Sequence, residues 1–180
     1  MILTLKIKIF SGFLIVSVCA VLAWYWLTPG GLDVAPNIEF KLIDGRNIKL
    51  KELQGQPVLV TFWATTCKGC LKEMPHLITL YNELEQQGLE IVGVAMSYDP
   101  PNRVLELTKR KQIPYPVALD IDGNAANAFG NVTITPTSFL IAPDGNIVKF
   151  KIGEMDIKKI REDILSMIVS AEEITSPKSS

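Results

Sequence analysis

Residues 10–27, FSGFLIVSVCAVLAWYWL, form an apolar run without a single charge. As a helix these 18 residues would reach roughly 27 Å, close to the hydrocarbon thickness of a bilayer. The breaker-rich stretch Thr28-Pro29-Gly30-Gly31-Leu32 then ends the run. Beyond it the apolar positions alternate through residues 38–43, pause at Asp44-Gly45 and resume at 48–50, which predicts a β-hairpin. Gly55-Gln56-Pro57 punctuates, and residues 58–63, VLVTFW, read as a buried strand.

From residue 68 to 87 the period becomes helical, with Leu71, Met74, Leu77, Ile78, Tyr81 and Leu84 on one side and Gly88 at the end. Pro75 falls inside this pattern and is expected to kink the helix. Residues 91–96 predict a second buried strand, and Asp99-Pro100-Pro101 a turn into an exposed helix over 102–111. A short strand over 116–119 and a short helix over 124–129 follow. Residues 137–141 and 146–150 flank Pro143-Asp144-Gly145 as a second hairpin, and Asp156 opens a last helix to about residue 169. Its apolar positions are Ile157, Ile160, Ile164, Met167 and Ile168. The β-α-β order demands a parallel pair and the second hairpin an antiparallel one, so the expected α/β fold has a mixed sheet with helices on both faces.

The boundaries follow: residues 1–9 before the apolar run, 10–27 as one transmembrane helix, 28–35 as linker, 36–170 as the globular domain, and 171–180 as a polar tail. Lys6 and Lys8 precede the apolar run, Trp24, Tyr25 and Trp26 close it, and the next charge is Asp33. The positive-inside rule therefore leaves residues 1–9 in the cytoplasm and the globular domain outside. Cleavage after Ala20, at Val18-Cys19-Ala20, would leave residues 21–27 as a sticky apolar end, so the uncleaved anchor is the expectation. The remainder is weakly acidic, without a basic stripe, so nucleic acid is not an expected partner.

The candidate chemistry is Cys67-Lys68-Gly69-Cys70, lying directly between a predicted strand and a predicted helix. There the exposed N–H groups and the dipole of the helix favour a thiolate, the species that attacks disulfides. Lys68 adds positive charge. A structural zinc site wants more ligands than the chain offers: the remaining cysteine is Cys19 and the lone histidine is His76. A static disulfide closing so short a loop would restrict the unfolded chain very little. Thiol–disulfide exchange is the reading that remains.

On this frame the chain resembles the thioredoxin superfamily, and within it the membrane-anchored TlpA/ResA/DsbE-like thiol–disulfide oxidoreductases. The residues that carry the resemblance are Val60-Thr61-Phe62-Trp63-Ala64-Thr65-Thr66-Cys67-Lys68-Gly69-Cys70-Leu71-Lys72-Glu73-Met74-Pro75. Downstream, Thr135-Pro136-Thr137-Ser138-Phe139-Leu140-Ile141 with Asp144-Gly145 is similar to that family's second signature. The resemblance implies a thioredoxin-like fold with an N-terminal hairpin and an α/β insertion. It implies Cys67 as the exposed nucleophile, Cys70 as the resolving thiol, and Pro136, with Thr135, as the cis-proline turn that receives a partner chain. Glu73 matches a glutamate proposed to manage the dithiol's protons, against the alternative of a solvated acid in the first turn of the helix. Trp63 is expected beneath the site, and Thr66, Lys68 and Gly69 on its rim. No cofactor and no metal is implied.

Two departures from the family pattern stand out. Thr66 replaces a tryptophan common just before the first cysteine, and Thr61 stands where thioredoxin carries a buried aspartate. His76 reads as an ordinary helix residue, and Met96 and Tyr98 as core and loop positions. The expected function is a membrane-tethered, extracytoplasmic reductant of disulfides in exported proteins such as apocytochrome c, with a membrane thiol reductase as electron donor. The alternatives are a protein-disulfide oxidant, a peroxiredoxin-like peroxidase and a copper-binding chaperone. Ala64 and Val60 stand where the peroxidase pattern wants threonine and proline. The copper chaperone would want a longer cysteine spacing and a distal histidine.

Overall fold

A computed structural model describes residue 17 and residues 34–175, with side chains through Ala171. The chain divides into a unit Met1–Gly31 and a unit Leu32–Ser180, and the second is the one treated below. The expected transmembrane helix and Cys19 lie outside the described residues. Among the described residues, no helix is long and apolar enough to cross a membrane.

Strand β3 (Val58–Trp63) is the axis of the domain, and all six of its residues are buried. Alternation sends Leu59 and Trp63 into one core and Val58, Val60 and Phe62 into the other. A strand covered on both faces and flanked on both edges has no polar side, which explains its unbroken apolar sequence. β4 (Glu90–Ala95) pairs with it in parallel and β6 (Thr137–Ile141) antiparallel. β5 (Val117–Leu119) and β7 (Ile147–Ile152) complete a five-stranded sheet of order β5-β4-β3-β6-β7. The sheet is mixed, as the element order predicts.

Helices α1 (Lys68–Leu84), α2 (Pro101–Lys111) and α4 (Ile157–Thr175) bring apolar side chains to the first core. Met74, Leu77, Leu80 and Leu84 come from α1, Val104 and Leu107 from α2, and Ile160, Ile164 and Ile168 from α4. The second face departs from the expectation of helical cover. Among the described residues its only α-helix is the five-residue α3 (Asn124–Ala128). The rest of the cover is the N-terminal hairpin β1 (Glu39–Lys41) and β2 (Asn47–Lys49) with the 3₁₀ turn Leu50–Leu53. Phe40, Leu42 and Leu50 from this segment are each at most 6% exposed and meet Phe62, Phe129 and Phe139. A hairpin suffices there because Ile38, Phe40, Leu42 and Ile48 all turn to this core, while Ile43 at its turn packs against the other.

Other differences are local. Pro75 sits inside α1, which runs on to Leu84. The last helix continues to Thr175 rather than stopping near residue 169, since Ser170-Ala171-Glu172-Glu173-Ile174 contains no breaker before Pro177.

Candidate active site

The dithiol sits where the sheet hands the chain to α1. β3 ends at Trp63, and the short link Ala64-Thr65-Thr66 reaches Cys67, the N-cap of α1 in extended conformation. The link is tied at both ends. Cys67 N–H donates to Ala64 O at 3.1 Å. Thr65 donates twice to the buried Asp99, from its backbone N at 2.5 Å and its hydroxyl at 2.6 Å. Asp99 stands just beyond the end of β4, so the neighbouring parallel strand fixes the turn that presents the sulfur. Sequence reasoning saw Asp99 only as a turn starter; a pairing across 34 positions leaves no local trace.

Cys67 and Cys70 are joined as a disulfide, with Cα atoms 5.3 Å apart. Cys67 Sγ accepts the Cys70 backbone N–H at 3.1 Å, so the sulfur itself caps the helix. The first turn of α1 contains no acidic residue to offset the helix dipole at that sulfur. Cys67 is half-buried and Cys70 is 4% exposed. One sulfur is therefore reachable from outside and the other backs onto the core, beside Trp63 and Met74.

The remaining residues singled out in the sequence fall into two sets. Pro136 and Gly69 meet at the cysteine-bearing turn, Trp63 shares a core with Cys70, and Glu73 follows Cys70 by three residues on α1. The Thr135–Pro136 peptide is cis, Pro136 is buried, and a Cβ built on Gly69 would lie 3.4 Å from Pro136 Cδ. The proline turn thus packs against the first turn of α1, at a spacing where a Cβ on residue 69 would make ordinary van der Waals contact. Trp63 is 3% exposed, its indole Nε1 only 3.2 Å from where a Gly93 Cβ would sit. Thr66 and Lys68 are exposed on the rim and Thr135 is half-buried. His76 is exposed on α1, away from the buried face.

Glu73 is not a solvated acid of the first turn. It is 3% exposed, and its Oε1 accepts the Met155 backbone N–H at 2.7 Å. Burial drives its pKa above the usual carboxylate value; the Met155 hydrogen bond opposes this, the neighbouring Glu154 adds to it, and His76 counters it. Thr61, in the place of an absent aspartate, accepts a hydrogen bond from the buried Ser138 hydroxyl at 2.9 Å. The site thus has two buried carboxyls, Asp99 with an oxygen on each of the two Thr65 donors and Glu73 three residues after Cys70. Residues 153–155 escaped the sequence reading entirely, and they close the site. Gly153 N–H donates to Pro136 O at 2.8 Å, and Glu154 pairs with Lys72 at 2.7 Å. Among the described residues no cluster of His, Cys, Asp and Glu is arranged to hold a metal ion.

A capped, half-buried sulfur, a deeper partner one turn away and a facing proline turn are the parts that dithiol exchange needs. Comparison with known proteins agrees. The AhpC/TSA family model matches residues 32–150. The thiol-disulfide oxidoreductase ResA of Bacillus subtilis is 33% identical over 175 residues, 93% of this chain and 96% of that protein. ResA of Halalkalibacterium halodurans is 35% identical over 130 residues, 72% of this chain and 73% of that protein. Among solved structures, a thioredoxin-family thiol:disulfide interchange protein from Chlorobium tepidum superposes with a TM-score of 0.69 at 25% identity, covering 78% of this chain and 99% of that one. The chain belongs to the AhpC/TSA family with the thioredoxin-like fold, and it is a thiol–disulfide oxidoreductase of the ResA kind whose C-x-x-C pair is Cys67 and Cys70.

Proposed function

We propose that this enzyme works as a membrane-tethered reductant of disulfides in exported proteins, with apocytochrome c as the type of substrate and a membrane thiol reductase as its source of electrons. In the reduced enzyme the Cys67 thiolate attacks one sulfur of the partner's disulfide. A Cys67–partner bond forms as the partner's S–S bond breaks, and the second partner sulfur leaves as a thiolate. Cys70 then loses its proton and attacks Cys67 Sγ, releasing the first partner sulfur. Two electrons pass to the partner, both of its thiolates take up protons, and Cys67–Cys70 is left oxidised. Glu73 is the group that takes the Cys70 proton, since a carboxyl whose pKa is raised by burial exchanges protons nearer neutrality. Thr135 and Pro136 receive the partner chain, with Thr66, Lys68 and Gly69 on the rim of the same surface.

The observation that carries this reading is the inequality of the two sulfurs: Cys67 half-buried at the helix mouth, Cys70 buried on α1, three residues before the buried Glu73. The tether rests on the sequence, on the apolar run 10–27 with Lys6 and Lys8 before it.

The test combines trapping with a redox titration. Cys70→Ala should accumulate exported proteins as mixed disulfides on Cys67, and Cys67→Ser should trap none and abolish turnover. Equilibration of the dithiol against glutathione should give a low potential, as for a reductant. A potential like that of strong oxidants reverses the direction of electron flow, and full turnover by folded Cys67→Ser ends the reading. Rapid reaction with peroxide, or copper held by the purified protein in place of disulfide reduction, would favour the peroxidase or the chaperone.

A further inference from the structure

The loop between β7 and α4 touches the dithiol site at three consecutive residues. Gly153 N–H holds the Pro136 carbonyl at 2.8 Å and Met155 N–H holds Glu73 Oε1 at 2.7 Å. Between them Glu154 lays its carboxylate over the cysteine-bearing turn, 3.7 Å from where a Gly69 Cβ would be, with Oε2 on Lys72 Nζ at 2.7 Å. Lys72 directly precedes Glu73 on α1. The buried Glu73, the Lys72 ammonium and the loop carboxylate of Glu154 therefore gather at the first turns of the helix that carries both sulfurs.

We propose that Glu154 is a positioning residue for the dithiol reaction that acts through Glu73: the balance between its carboxylate and the Lys72 ammonium sets the field in which Glu73 takes the Cys70 proton and returns it. The inference rests on the role given to Glu73 above. As a contribution to stability an exposed pair such as Lys72–Glu154 is worth little. Its location gives it consequence, because charge beside a buried carboxyl is poorly screened.

The groups facing Glu73 can be named element by element. The β7–α4 loop brings the Met155 N–H, which favours the carboxylate, and Glu154, which favours the neutral acid. Its own helix brings His76, which favours the carboxylate, while Lys72, the next residue back on that helix, reaches the site through its pair with Glu154. The segment before β5 brings Tyr115, whose buried hydroxyl stays protonated, held so by burial and by the Glu73 charge. Glu154 is the one acidic side chain among these, so its removal has a defined sign.

The experiment is the pH–rate profile of the reduced full-length protein with a small aromatic disulfide, followed by stopped flow through the resolution step. Glu154→Gln keeps an acceptor for Lys72 while removing the charge, and should move the profile to lower pH. Lys72→Met leaves the Glu154 charge unopposed and should move it to higher pH. Each should change the rate about two- to fivefold on the sloping limb, the scale expected of exposed charges. The double variant should fall between them, and in a Glu73→Gln background both shifts should vanish. Shifts of the same sign would mean that the loop merely moved, and shifts that survive Glu73→Gln would mean action on the sulfurs directly; either overturns the proposal. Unmoved Glu154→Gln and Lys72→Met profiles beside a shifted Glu73→Gln profile overturn this inference alone. A profile that Glu73→Gln leaves in place removes the role of Glu73 and this proposal with it.

Discussion

Glu73 carries an acidic group into a place that disfavours its charge, and the fold tolerates this with a single backbone hydrogen bond. That has a consequence for stability with a definite sign. Because the folded pKa is raised, the folded state binds more protons than the unfolded one between the ordinary carboxylate value of 4.5 and the raised value. Stability therefore falls as pH rises through that window, and the full penalty is present above it. Glu73→Gln retains an acceptor for Met155 N–H and removes the charge. Its melting temperature should exceed that of the parent at pH 8 and match it at pH 4. A gain that persists at pH 4 would show that packing, not charge, limits this position. At the same scale, Cys67, Cys70 and Pro136 were legible because their chemistry travels with short motifs. Asp99 and Glu154 were not: each acts on a residue 34 or 82 positions away, and nothing in the local pattern distinguishes such an acid from a solvated one.

The strands and helices were easier to read, because each repeats its apolar period over several residues. β3, β4 and α1 appear where the periodicity placed them, and the hairpin turns fall at Asp44-Gly45 and Asp144-Gly145. Cover for the second core was misjudged, since alternation in a hairpin does not say which sheet it will lie against. Gly93 in the middle of β4 also gave no warning of its purpose. A Cβ there would stand 3.1 Å from Tyr115 Cε2 and 3.2 Å from Trp63 Nε1, both atoms of rings buried in the core. Gly93→Ala gains roughly 0.4–1 kcal/mol from a stiffer unfolded chain. Overpacking in a filled core costs about 1–3 kcal/mol, so the net effect should be destabilising. Denaturant unfolding should show a lower midpoint at unchanged slope. Because Trp63 lies under the dithiol, indole fluorescence should shift as well. An unchanged midpoint would mean the rings yield freely.

At the scale of the whole molecule, the thioredoxin-like unit and the N-terminal run are separate propositions. Among the described residues, 34–175 carry both hydrophobic cores of the former. Removal of residues 1–31 should therefore release a soluble protein that exchanges disulfides with a small substrate at the parent rate. Under the proposed tether, only the full chain should sediment with membranes. A folded truncation without dithiol chemistry would contradict this division, and a full chain absent from the membrane fraction would remove the tether.

Sequence alone determined the kinds of element, their order and the reactive cysteine pair. Periodicity and short motifs are properties of neighbouring residues, and a C-x-x-C pair at a strand-to-helix junction needs no distant partner to be seen. Tertiary structure decided how unequal the two sulfurs are, that Glu73 is buried, and which acids stand around it. Those depend on a proline turn, a strand end and a helix entrance, far apart along the chain, closing on one point in space, where burial and charge act across distances that sequence separation does not measure.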